Sequence, residues 1–176
     1  MTKQISDFVA GVVCVVLLVA CLVTNGVAAD KANYSGKYSL QGGRTASGNK
    51  IDATIEVVQS DDSIEITNVD QGRRTTNRYP LNGSEGDYKS PGGVAGKCKA
   101  QLKDKYLVLE SVVTSRPQPN APPVRIHTRE RWQLSSDSKT LTVKSDVDFP
   151  DAPRDVSSVV GESVSGTQKY ARVENP

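Results

Sequence analysis

The sequence predicts an all-β fold: an antiparallel meander that closes into an up-and-down barrel or a strongly curved sheet, with a β-sandwich as the alternative. Three observations predict it. Apolar and polar residues alternate with period two along most of the chain beyond residue 30. No stretch there carries a 3.6-residue apolar repeat of helical length. The connections are short and polar, which allows antiparallel neighbours and excludes the long crossovers of parallel strands. A lean meander with one apolar face gains by curling shut, because closure removes its exposed edges.

The elements follow in chain order. Ile51, Ala53, Ile55 and Val57 share one face of a first clear strand, and Ser60-Asp61-Asp62 turns it into a second with Ile64 and Ile66. Arg73 to Leu81 is extended, with Tyr79 and Leu81 apolar. From Asn82 to Gly96 five glycines fall in fifteen residues, and this stretch is expected to be an irregular loop. Alternation resumes from Cys98 to Leu102, Asp104-Lys105 turns the chain, and Tyr106 to Thr114 is almost continuous in β-formers. Arg116 to Pro123 holds four prolines in eight residues and predicts an extended surface loop. Val124, Ile126, Trp132 and Leu134 then share a face, Ser135 to Ser138 turns, and Leu141, Val143, Val147 and Phe149 share the next. The weak stretch after Pro150 has one candidate helical turn, 155–162, and Thr167 to Val173 forms a last strand.

The N-terminus has a different character. Lys3 precedes sixteen uncharged residues, Phe8 to Val23, and Val27-Ala28-Ala29 follows a polar break. This charged, apolar, small-residue order is that of a secretory signal. A membrane-spanning helix needs about 20 apolar residues. The expected organisation is a signal peptide over 1–29 and a single all-β domain over 30–176, exported to the periplasm or secreted. An alternative is a lipoprotein anchored through Cys21, since Leu18-Val19-Ala20-Cys21 fits a lipobox. Membrane attachment is expected only in that case. Cys98 is the one cysteine beyond the signal, so an intramolecular disulfide is excluded for the mature domain, and its place on the apolar face predicts a buried thiol.

Tyr34-Ser35-Gly36-Lys37-Tyr38-Ser39-Leu40 resembles the opening strand of small secreted bacterial β-proteins, which begin aromatic-Ser-Gly-x-Trp-x-Leu. Glu130 to Thr142 is similar to their later hairpin, whose turn reads Ser-x-Asp-Gly-Lys-Thr-Leu-Thr; here Ser138 stands where that family has Gly. Tyr79 to Gly83 fits a further hairpin of that kind. The resemblance spans about residues 34 to 173 and implies export and a β-fold without implying an activity. The chain also resembles, more loosely, the lipocalin-like calycins. That likeness implies that Arg172, from the last strand, packs on Tyr38 of Gly36-Lys37-Tyr38 and closes one barrel end by a cation–π contact.

Near-balanced charge, +2 overall, argues against a dedicated nucleic-acid binder. His127 is the only histidine, which excludes a multi-His metal site, and it shares a face with Arg125, Arg129 and Arg131 rather than with a carboxylate and a nucleophile. Neither a metal nor a cofactor is expected, and the Asp61-Asp62 and Asp146/Asp148/Asp151 groups read as turn residues. Glu130 stands out because it falls on the apolar parity between Thr128 and Trp132, where a carboxylate is costly without a partner. Arg73 is a candidate partner. The alternative is that Glu130 is the polar anchor of a ligand cavity with Trp132, Tyr38, Tyr79, Asn68 and Thr128.

The leading expectation is a non-enzymatic, barrel-like exported protein that binds a small hydrophobic ligand or lipid through Trp132, Tyr38, Tyr79, Glu130 and Asn68. The alternative is an envelope-associated protein that meets an anionic component. It would use an outer basic face of Arg125, Arg129, Arg131, Lys97 and Lys99, or the Pro-rich loop 116–123.

Overall fold

Ten antiparallel strands form one sheet that curls into a nearly closed barrel. The computed structural model describes residues 32–43, 52–116, 122–151 and 163–173, all within the unit Lys31–Pro176. The proposed signal over 1–29, the candidate helical turn at 155–162 and residues 117–121 of the Pro-rich loop lie outside the described residues.

The strands are β1 (Gly36–Leu40), β2 (Ala53–Gln59), β3 (Ser63–Asp70), β4 (Arg73–Pro80), β5 (Gly86–Lys89), β6 (Ala95–Lys103), β7 (Tyr106–Ser115), β8 (Val124–Leu134), β9 (Thr140–Asp148) and β10 (Ser163–Arg172). Their spatial order is β4-β3-β2-β1-β10-β9-β8-β7-β6-β5. Every sequential pair forms a ladder except β4 and β5, while the first strand is zipped to the last through Tyr38↔Arg172 and Leu40↔Tyr170. The barrel expectation holds and the sandwich does not.

Two local expectations are corrected. The glycine-rich stretch is not wholly irregular: β5 runs through it, because Gly86 and Gly96 let strands approach closely. A Cβ on Gly86 would lie 2.9 Å from the Pro80 ring, so a side chain there would push β5 off β4. The hairpin expected around Tyr79 to Gly83 does not form as a ladder. Asn82 instead bridges to Gln101 of β6. The open seam between β4 and β5 is clasped by one side chain. Asn77 donates from Nδ2 to the Lys89 carbonyl at 3.0 Å and accepts the Lys89 N–H at 2.8 Å. The buried Cys98 thiol lies under the seam, 3.7 Å from the Arg78 carbonyl and 3.5 Å from that of Asp87. Burial, with Asp87 nearby, pushes its pKa up to about 11, which keeps the thiol protonated and unreactive.

The barrel is filled unevenly. Tyr34, Tyr38, Ile64, Ile66, Leu107, Trp132 and Leu141 are the largest fully buried side chains, and all lie toward the end of the barrel where β3, β7 and β9 start and β8 finishes. Tyr34 plugs this end: its hydroxyl donates to the Trp132 carbonyl at 3.0 Å, and its N–H donates to Gln59 Oε1 at 2.9 Å. The Tyr38 hydroxyl donates to the Tyr34 carbonyl at 2.9 Å. At the opposite end the inward positions thin out. Ile126, Thr128, Ser145 and Val147 are only partly buried, and β10 is exposed on both faces from Val164 to Lys169. A strand wet on its inner face has no packed core behind it. Within the described residues of the barrel, a packed floor thus gives way to an upper half whose inward positions are exposed, like a cup.

Candidate functional site

Just above the floor is a partly enclosed hollow of about 40 Å³, lined by Ile66, Asn68, Tyr79, Tyr88, Leu109, Glu110, Ser111, Thr128, Glu130 and Trp132. Alternation brings these residues together from five strands. Ile66 and Asn68 come from β3, Tyr79 from β4, Tyr88 from β5, Leu109, Glu110 and Ser111 from β7, and the other three from β8. The space suits a few water-sized groups. It is far smaller than the roughly 300–1,000 Å³ of a typical ligand pocket.

Glu130 is the charged group of inward parity at this hollow; Glu110, which also borders it, gives its carboxylate to Lys99 and Arg129 on the outer face. Its Oε2 accepts the Trp132 indole N–H at 2.8 Å, and Ser145 donates to Oε1 at 3.4 Å. Arg73 is not its partner. That residue pairs across from Asp70 at the open rim and is exposed, because β4 carries it a full strand length away from the floor. Burial raises the Glu130 pKa above the usual glutamate value, and the two donors only partly offset this. Three phenols face the carboxyl: Tyr79, Tyr88 and Tyr170 all have their pKa raised, first by burial and further by the charge of Glu130. Tyr88 also bonds Ser111, and the Tyr170 hydroxyl donates to Gln168 at 2.8 Å.

Trp132, Tyr79, Glu130, Asn68 and Thr128 thus meet at one hollow. Tyr38 does not line it. It is buried in the floor, with the Arg172 guanidinium 5.5 Å over its ring, which is the cation–π closure implied by the calycin resemblance. The same guanidinium bonds the Ser35 carbonyl, and a Cβ on Gly36 would come within 2.8 Å of it, so glycine leaves the room that Arg172 occupies. Tyr88, Ser111, Ser145 and Tyr170 complete the polar ring and were not among the residues expected. Ser111, Ser145 and Tyr170 share the parity of Leu109, Val143 and Gln168, a signal that the alternation contains. Tyr88 lies among glycines, where no alternation marks it.

Asn68 links the hollow to the open rim. There a depression of about 250 Å³ is bounded by Asp70, Gln71, Arg73 and Thr75 of the β3–β4 hairpin and by Pro91 and Gly92 of the β5–β6 turn. A larger one, about 450 Å³, lies at the floor's outer side between Asn33, Gln59, Ser60, Asp61, Leu81 and Leu102. It holds none of the residues singled out by sequence, and its lining is mostly amide, hydroxyl and carboxylate.

On the outer face the basic side chains sit among partners. Arg125 pairs with Asp151 at 3.1 Å, His127 with Asp148 at 3.1 Å, and Arg129 with Glu110 at 3.6 Å. Lys99 also holds Glu110, at 2.9 Å, and Lys97 holds Asp87 at 2.8 Å. Arg131 stacks 3.8 Å over the Tyr106 ring. Among the described residues no group of three His, Cys, Asp or Glu is placed to hold a metal ion.

No protein-family model and no curated protein matches the chain by sequence. Its fold is matched by solved structures. The zebrafish ileal bile acid-binding protein, complexed with cholic acid, is similar over 80% of this chain and 98% of its own, with a TM-score of 0.55 at 16% identity. A Schistosoma mansoni fatty acid binding protein in complex with arachidonic acid covers 80% and 96%, with a TM-score of 0.52 at 15% identity. A REP1-NXSQ fatty acid transporter covers 81% and 97%, also with a TM-score of 0.52 at 15% identity. These neighbours are named for binding or transport. At such identities the likeness establishes the architecture: this chain has the fold of the small calycin-like barrels, built on a sequence of its own.

Proposed function

We propose that this protein is an exported, non-enzymatic barrel that binds a small apolar ligand or lipid in its open upper half, above the floor formed by Trp132 and Tyr34. The observation that carries this reading is β10, whose inner positions Val164 and Gln168 are exposed while Tyr170, at the floor, is buried. That contrast leaves unfilled space inside a nearly closed wall. Ile126, Val147 and Val164 give the wall apolar surface, and Thr128 and Ser145 give it a few polar points. The binding and transport named for the fold neighbours supports the same reading.

Trp132 supplies the test, since it is the only tryptophan. A neutral alkyl probe, n-decanol kept below its solubility limit, is expected to change Trp132 emission saturably. Thr128→Phe, which fills the space over the hollow, is expected to weaken that binding at least about tenfold, equivalent to about 1.4 kcal/mol. An emission that never changes with probe concentration would reject the reading.

A further inference from the structure

The ligands named for two of the fold neighbours, cholic acid and arachidonic acid, are acids. The interior of this barrel has the opposite complementarity. Among the described strand residues with inward parity, the carboxylate at the floor hollow is Glu130, and no cation stands near it. Arg73 is exposed at the open rim. Arg172 is committed at the closed end to the Tyr38 ring and the Ser35 carbonyl. An acid that entered head first would set its carboxylate against that of Glu130 in a low-dielectric hollow, an arrangement that forces one of the two to stay protonated.

A carboxylate offers about four acceptor sites. Glu130 uses one for Trp132 and one, at long distance, for Ser145, so acceptor capacity faces the hollow. The hollow's 40 Å³ takes a group the size of water or ammonium and excludes an alkyl chain. Asn68 adds an amide oxygen beside it, and Thr128 and Tyr79 add hydroxyls that can accept.

We propose that Glu130 is the docking point for the amine or ammonium end of an elongated apolar ligand whose chain lies in the open half of the cup. This assignment rests on the ligand-barrel reading above and names its substrate class. Ion pairing inside the barrel then does what desolvation alone opposes: the ligand's charge stabilises the ionised carboxyl, and the carboxyl stabilises the ligand's charge. The titratable groups facing Glu130 are the phenols of Tyr79 on β4, Tyr88 on β5 and Tyr170 on β10, all held protonated across the neutral range by burial. None of them competes for the charge.

The experiment is a Trp132 titration with three probes of one chain length: n-decylamine, n-decanol and decanoate. The amine is expected to bind at least about tenfold more tightly than decanoate, with the alcohol between them. In Glu130→Gln the amine's advantage over the alcohol is expected to vanish, while decanol binding persists and shows that the variant is folded. In the wild-type protein alone, the amine's advantage over the alcohol is expected to grow as pH rises above the ordinary glutamate range and the carboxyl ionises. Decanoate binding as tightly as the amine overturns the inference and leaves the ligand-barrel reading standing. An amine advantage that ignores both pH and Glu130→Gln overturns it too. Failure of all three probes rejects the barrel reading itself.

Discussion

Glu130 is a residue whose cost and use have the same origin. It is inward because β8 alternates, and alternation leaves no choice once Trp132 and Leu134 face the core. Its raised pKa means that the folded protein holds the proton more tightly than the unfolded chain. The stability tied to that proton is present below the ordinary glutamate range and is lost as pH rises through the folded value. Glu130→Gln keeps an oxygen for the Trp132 indole and removes the buried charge. The variant's melting temperature is therefore expected to vary less than the wild-type value between about pH 4 and about pH 8, and to be the higher of the two at the alkaline end. Thermal melts at several pH values check this, and a variant that is less stable at every pH would refute it. The sequence makes this residue legible because a carboxylate on an apolar parity stands out. Its partner was not legible: Arg73 shares the parity, but parity carries no information about height along the barrel, and that coordinate separates rim from floor.

At the scale of the element, the β4–β5 seam shows how a barrel closes where its ladder fails. Asn77 offers both a donor and an acceptor and so imitates one missing backbone pair. Asn77→Leu keeps the volume and deletes both bonds. It is expected to cost about 2 to 3 kcal/mol in urea unfolding, and to speed amide exchange at Lys89 selectively. Unchanged exchange at Lys89 would mean that the clasp does not hold the seam. Sequence reading placed nine of the ten strands, β1 through its resemblance and the others through extended, mostly alternating stretches. It missed β5, four residues long and set among glycines, since a strand that short is fixed by its neighbours rather than by its own pattern. The β8–β9 turn shows what Ser138 does in place of the glycine that its resemblance would put there. Ser138 takes φ = 57°, the left-handed conformation that the family's Gly adopts freely, and Ser135 and Asp137 hold the turn with side-chain bonds.

For the whole molecule, the outer face and the inner space carry different weight. The outer basic side chains of β8 are set against carboxylates on β7, on β9 and just beyond it at Asp151 or, for Arg131, on an aromatic ring. Exposed pairs of this kind contribute little to stability and leave less net charge for a distant anionic surface. The inner space is where the fold departs from a packed protein. The expected export is testable independently of the ligand. We propose cleavage after Ala29, so the intact mass of protein recovered from outside the cytoplasm is expected to begin at Asp30. A diacylated mass starting at Cys21 would replace that proposal with a membrane anchor.

The pairing of β1 with β10 has a consequence for how the chain acquires its shape. Val173 donates to the Lys37 carbonyl at 2.8 Å, so residues at the two extremes of the described domain are a single hydrogen bond apart. During synthesis β1 emerges early and waits through nearly the whole domain for its second neighbour. Tyr38 likewise waits for the guanidinium that covers it. A nascent chain cut short before residue 163 has no β10, so it exposes the free edges of β1 and β9 and cannot seal the floor. Such a topology, dominated by contacts distant in sequence, folds slowly.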